Sequence, residues 1–219
     1  MTQLPLDLRH RAAMGREDFL VSPSNADAVA WIDLWPDWPG PAIVLAGPPG
    51  SGKTHLAEVW RMRSGAVDFA EEGAVEAAVL ASGAVLVDDV DRRGDDRALF
   101  HLYNAVAEAG GHLMFTAEVP PARWPGRLRD LVSRLSAAPN IRIQAPDEAL
   151  IAAVMAKMFA DRQLSVAPEV LSFLVARMER SFAEARDLVA ALDAASLAAR
   201  RAVTLPLARE VLARRGQGI

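Results

Sequence analysis

Gly47-Pro-Pro-Gly-Ser-Gly-Lys-Thr54 follows the apolar run Ala42-Ile43-Val44-Leu45-Ala46 and opens a helical stretch, in the spacing G-x-x-x-x-G-K-[ST]. In such a turn, glycine-rich backbone lets several N–H groups converge on phosphate oxygens. The lysine reaches the β and γ oxygens, and the Thr hydroxyl ligands Mg²⁺. A helix N-terminus adds partial positive charge at the same place. Pro49, Gly50, Ser51, Gly52, Lys53, Thr54 and His55 are therefore the candidate residues for binding ADP or ATP. The bland alternative is an ordinary Gly/Pro loop between strand and helix, and the flanking elements weigh against it.

The segment Ala84-Val85-Leu86-Val87-Asp88-Asp89 reads as a second nucleotide element, an apolar strand ending in paired carboxylates. Asp88 would support Mg²⁺ together with Thr54, and Asp89 stands where such sites hold the carboxylate that polarises an attacking water. Asp91 reads as loop solvation. His112-Leu-Met-Phe-Thr116 is expected to lie beside the first strand, bringing the Thr116 hydroxyl near the γ-phosphate. Two arginines complete the set, each with a plain competing reading. Arg134 lies on an arginine-rich helix and would otherwise be a solvated face. Arg186 begins a long amphipathic helix and would otherwise form a surface ion pair.

The elements that must position these groups alternate. Strands are expected at 43–46, 66–69, 84–88, 112–116 and 141–143, and helices at 26–34, 54–62, 72–81, 97–109 and 127–135. Repeated βα units imply an α/β fold with a parallel five-stranded sheet covered on both faces. Prolines 36, 39 and 41 punctuate the approach to the first strand. From Asp147 the strand pattern stops and helices are expected over 147–162, 168–178, 182–200 and 206–214. Leu171, Leu174, Val175 and Met178 there recur at helical spacing. The division is a flexible head (1–17), an α/β core (18–146) and a small all-helical lid (147–219).

Composition narrows the classes. The 219 residues are 52% apolar, enough to fill such a core, and there is no cysteine, which excludes disulfides and thiolate sites and suits a cytoplasmic protein. No apolar run is long enough for a membrane span. The net charge of −4, with both signs interspersed, does not resemble a phosphate-neutralising surface, so no specific DNA binding is expected.

Together, Gly47 to Thr54, Val85 to Asp89, Thr116-Ala-Glu-Val-Pro-Pro121, Leu131-Val-Ser-Arg134-Leu135 and Glu184-Ala-Arg186-Asp-Leu188 resemble the AAA+ core of the replication initiator DnaA, over roughly 18–213. The resemblance implies that Thr116 is sensor 1, Arg134 an arginine finger and Arg186 the sensor 2 arginine, with Leu20, Val21 and Asn25 around the adenine. DnaA continues into a basic DNA-reading domain, whereas this sequence stops at Ile219, which is similar to the Hda family of regulatory inactivators of DnaA. Gln3-Leu4-Pro5-Leu6-Asp7-Leu8 looks like a sliding-clamp-binding peptide, with Gln3, Leu4, Leu6 and Leu8 as its contacts.

The expected partners are thus the DNA polymerase III sliding clamp and DnaA, with a homodimer as a further expectation. The expected action is stimulation of ATP hydrolysis by DnaA in trans. The chain's own ADP would set its conformation, and its own turnover is expected to be weak or absent because Asp89 replaces the glutamate usual in vigorous AAA+ hydrolases. Two other classes compete. An autonomous helicase-loader-like ATPase needs strong turnover and a DNA surface, and a small-molecule P-loop kinase needs a lid inserted within the core rather than after it.

Overall fold

The computed structural model describes residues 20–69 and 83–216. The clamp-peptide residues Gln3, Leu4, Leu6 and Leu8 and the helix expected at 72–81 lie outside the described residues.

Five parallel strands form one sheet in the order β2-β3-β4-β1-β5. They are β1 (Ala42–Ala46), β2 (Val67–Asp68), β3 (Ala84–Val87), β4 (His112–Ala117) and β5 (Asn140–Arg142). The register sets Leu45 beside Thr116 on one side and beside Ile141 on the other. Side chains alternate across a strand, so each apolar strand feeds two cores. Val44, Val85, Val87, Leu113 and Phe115 pack on one face against Leu99, Leu102 and Val106 of α3 (Asp96–Glu108) and Leu131 and Leu135 of α4 (Arg129–Ala137). Ile43, Leu45, Leu86 and Met114 pack on the other against Ile32 of α1 (Ala26–Leu34) and Leu56 and Trp60 of α2 (Lys53–Ser64). Each fully buried Leu or Phe contributes about 1.5–3 kcal/mol by leaving water. Trp38 stacks on Trp60 with ring centroids 5.4 Å apart and fastens the segment before β1.

The tail holds α5 (Glu148–Asp161), α6 (Pro168–Val175), α7 (Phe182–Ala199) and α8 (Leu205–Gly216) around a third core that includes Ile151, Met155, Phe159, Leu174, Leu188, Leu192 and Leu207. Asp147 and Ser181 cap α5 and α7, accepting from the backbone N–H of Leu150 at 2.8 Å and of Glu184 at 3.1 Å. Such caps stabilise by about 1 kcal/mol each.

Boundaries move where tertiary contacts compete with the helical or strand pattern. Strand β3 stops at Val87 because Asp89 turns to φ 49. Helix α4 starts at Arg129 rather than Arg127 because Asp96 engages both the Arg127 side chain and the Leu128 N–H. Among the described residues no helix is long and apolar enough to cross a membrane.

Candidate functional site

Ligands of open parallel sheets sit beyond the carboxyl ends of the strands, and here that end gathers the residues that the spacing singled out. The turn after β1 is anchored by the Gly47 N–H, which donates to Ala117 O at the end of β4 (3.1 Å). A side chain at Gly47 would place its Cβ 2.4 Å from Ile143 O, so the loop runs too close to the chain after β5 for anything larger. Helix α2 then begins at Lys53, directly after the loop, where the first N–H groups of a helix have no intrahelical partner.

Lys53 is buried, and its Nζ donates to the loop carbonyls of Gly47 (2.8 Å) and Pro48 (3.1 Å). Burial lowers the lysine pKa, while Asp89, Asp91, Asp88 and Glu118 pull the other way. The ammonium thus waits on weak neutral acceptors, ready to turn toward a stronger anionic one. Thr54 Oγ1 donates to Asp88 Oδ2 at 3.3 Å, so these two oxygens face one small volume. Thr116, wholly buried on β4, donates from its hydroxyl to Asp88 Oδ1 and accepts from the Asp89 N–H at 2.8 Å. One hydroxyl therefore fixes both the rotamer of the first carboxylate and the backbone of the second.

These residues fit a nucleotide phosphate chain with Mg²⁺. Ser51 Oγ is buried within the loop without a hydrogen-bond partner, an orphan that a phosphate oxygen would satisfy. Thr54 and Asp88 would hold the cation. Among the described residues there is no cluster of three or more His, Cys, Asp or Glu that could hold a metal.

The tail closes over this loop. Phe182 N, at the start of α7, donates to Gly50 O at 2.9 Å. A Cβ on Gly50 would lie 2.5 Å from Ser181 Cβ, and one on Gly52 would lie 3.1 Å from the Phe182 ring. Arg186 is exposed one turn after Phe182 and shares its helix face. Arg134 is exposed on α4, its guanidinium 5.0 Å from the Phe100 ring centroid and 5.4 Å from that of Tyr103. Leu20 and Val21 are exposed apolar groups. Asn25 holds the loop that presents them: its amide accepts from Ser22 N at 2.9 Å and donates to Leu20 O at 3.0 Å.

The loop and the carboxylates that the spacing singled out lie together, and Ser181 and Phe182, which it did not single out, pack against the same loop. A serine ahead of a helical run signals a cap, yet nothing local tells that the cap sits on a glycine more than 130 residues earlier.

Residues 147–212 match the family model described as "Hda, lid domain". The helical tail of this chain is thus an Hda-type lid. The solved structure of domain III of the Thermotoga maritima replication initiation protein DnaA is similar over 97% of this chain and 98% of that one, at 20% identity and a TM-score of 0.78. AMPPCP-bound DnaA from Aquifex aeolicus is similar over 80% of this chain and 63% of that one, at 18% identity and a TM-score of 0.64. A Thermotoga maritima RuvB variant is similar over 78% of this chain and 60% of that one, at 14% identity and a TM-score of 0.63. At these identities the solved structures speak for the AAA+ fold. The lid match gives the helices after β5 their family.

Proposed function

We propose that this Hda-like protein is a negative regulator of replication initiation, tethered to the DNA polymerase sliding clamp and acting on the ATP held by DnaA. The observation that carries the reading is an Hda-type lid seated on an intact phosphate loop, Phe182 N donating to Gly50 O at 2.9 Å. In this reading Ser51, Gly52, Lys53 and the Thr54–Asp88 pair hold ADP or ATP with Mg²⁺, and Leu20 and Val21 cover the base. The phosphates of a bound nucleotide would supply the negative charge that draws Lys53 off its own loop carbonyls. Thr116 keeps Asp88 and the Asp89 backbone in register. Arg186, on the Phe182 face of α7, couples the phosphate end to the lid, so that retained ADP sets the working conformation.

Arg134 then acts outside the chain. Exposed and steadied over two aromatic rings, it is available to a neighbouring ATPase, where an arginine supplied in trans raises hydrolysis by roughly 10³ to 10⁵. Gln3, Leu4, Leu6 and Leu8 supply the clamp contact, which brings the regulator to DNA carrying a loaded clamp.

The test is hydrolysis of DnaA-bound ATP with and without DNA-loaded clamp. Arg134→Ala should bind the clamp normally and fail to stimulate hydrolysis, whereas full stimulation would remove the finger. Replacing Gln3 and Leu4 by alanine should abolish co-elution with the clamp, and unchanged co-elution would remove the tether. Intrinsic turnover of this chain should stay weak. Vigorous turnover stimulated by DNA would favour an autonomous loader instead.

A further inference from the structure

Arg127 lies just before α4, largely buried, and ties three separate segments together. Its Nε donates to Asp96 Oδ1 at 2.5 Å, and its Nη1 donates to the carbonyls of Val90 (3.2 Å) and Asp91 (3.3 Å). Its guanidinium lies 5.1 Å from the Trp124 ring centroid, and Trp124 Nε1 in turn donates to Val119 O at 2.8 Å. Asp96, in the first turn of α3, uses its second oxygen to accept the Leu128 N–H at 2.6 Å, where α4 is about to begin. The Arg127 and Asp96 side chains are only 12% and 17% exposed, so water competes little for this pair.

Val90 and Asp91 directly follow the carboxylates Asp88 and Asp89. Asp91 Oδ2 also accepts the Glu118 N–H at 2.7 Å, two residues after Thr116. An unbroken series of short polar contacts thus runs from Thr116, Asp88 and Asp89 through the 90–91 turn to Arg127, then through Asp96 to the first turn of α4. Arg134 stands on that helix. Two atoms along the series lack partners although buried, Arg127 Nη2 and Asp91 Oδ1. They are a cationic donor and an anionic acceptor on residues already joined through the Asp91 carbonyl, and a rearranged 90–91 turn that paired them would be a second arrangement. Discrete alternatives of this kind are what carry coupling between sites.

We infer that Arg127 and Asp96 are positioning residues that pass the state of the nucleotide site to α4, so that what this chain has bound sets how Arg134 is presented. The functional consequence rests on the proposed role of Arg134, but the response of α4 does not. Because the sequence has no cysteine, Ser133→Cys creates a single thiol beside Arg134 for a trifluoromethyl tag, read by fluorine NMR. In the full-length tagged protein the tag should shift between ADP–Mg²⁺ and a non-hydrolysable ATP analogue with Mg²⁺. In Arg127→Lys and in Asp96→Asn the two spectra should coincide, with nucleotide affinity and cooperative melting retained.

Each substitution breaks the fork from a different end, so failure of one to fold leaves the other to report. A tag whose two spectra coincide before either substitution, although both nucleotides bind, would overturn the inference, as would a shift that persists in both variants. With DnaA as partner, Arg127→Lys should lower stimulated hydrolysis by about 10²-fold, the usual penalty for a misplaced reacting group. If Arg134→Ala stimulates fully while the tag still responds, the finger fails and the strut stands. If the tag is silent and Arg134→Ala is inert, the finger stands and the strut fails.

Discussion

Gly50→Ala should unseat the lid from the phosphate loop, and Ser181→Gly should reseat it. Gly50 has φ 69, where an alanine bears roughly 1–2 kcal/mol of backbone strain. Its new Cβ would also fall 2.5 Å from Ser181 Cβ, an overpacking that costs about 1–3 kcal/mol. Gly65 provides the control. It has φ 68, and a Cβ added there would meet nothing within 4 Å, so Gly65→Ala should show the strain alone, about 1–2 kcal/mol, against about 2–5 kcal/mol for Gly50→Ala. Ser181→Gly by itself should cost a few tenths of a kcal/mol, because glycine is a tolerable helix cap. In the double variant the steric part disappears, leaving a coupling of about 1–3 kcal/mol. Urea unfolding of the nucleotide-free protein measures all four. Every tryptophan lies between residues 31 and 124, so fluorescence follows the α/β part while far-UV circular dichroism also follows the lid helices. Additivity of the 50 and 181 substitutions within about 0.5 kcal/mol would refute lid docking on this loop.

Three further outcomes are expected. Thr116→Val keeps the shape but strips the Asp89 N–H of its acceptor and Asp88 of a donor, and should cost about 1–3 kcal/mol in urea unfolding; Thr116→Ser should recover most of it, and wild-type stability of the valine variant would count against the bridge. Lys53 has a lowered pKa through burial, so between its folded and unfolded values the unfolded chain binds more protons. The nucleotide-free protein should therefore gain stability as pH rises through that window and carry the full penalty below it. Phosphate favours the protonated lysine, so nucleotide affinity should fall over the same rise, and Lys53→Met should flatten the profile; a flat wild-type profile would contradict the placement. Leu102→Ala, at a fully buried position of α3, should lose about 2–5 kcal/mol of stability, and a loss under about 1 kcal/mol would argue against the packing of α3 on the sheet.

Much of the scaffold was legible because its signals are local. The strands expected at 43–46, 84–88 and 112–116 form at 42–46, 84–87 and 112–117, apolar throughout because both of their faces are covered. The helix expected at 26–34 has those bounds, and the four tail helices start within one residue of expectation. Errors fell at ends, where a distant partner outbids the local pattern: Asp96 withdraws Arg127 and Leu128 from α4, and the φ 49 turn at Asp89 cuts β3 short. Asn25, which the resemblance to DnaA puts near the adenine, has its amide engaged in shaping the Leu20–Ser22 loop.

The sequence by itself determined the phosphate loop, the carboxylate pair that follows the third strand, the βα alternation and the helical tail. Each is written in residue types a few positions apart, on the scale at which backbone geometry and hydrophobic periodicity act. Only the tertiary structure decided that Thr116 bridges Asp88 and Asp89, that Ser181 and Phe182 rest on Gly50 and Gly52, and that Arg127 ties the 90–91 turn to Asp96. Those contacts join distant parts of the chain, and strand register and the seating of one hydrophobic core against another choose them rather than any local spacing.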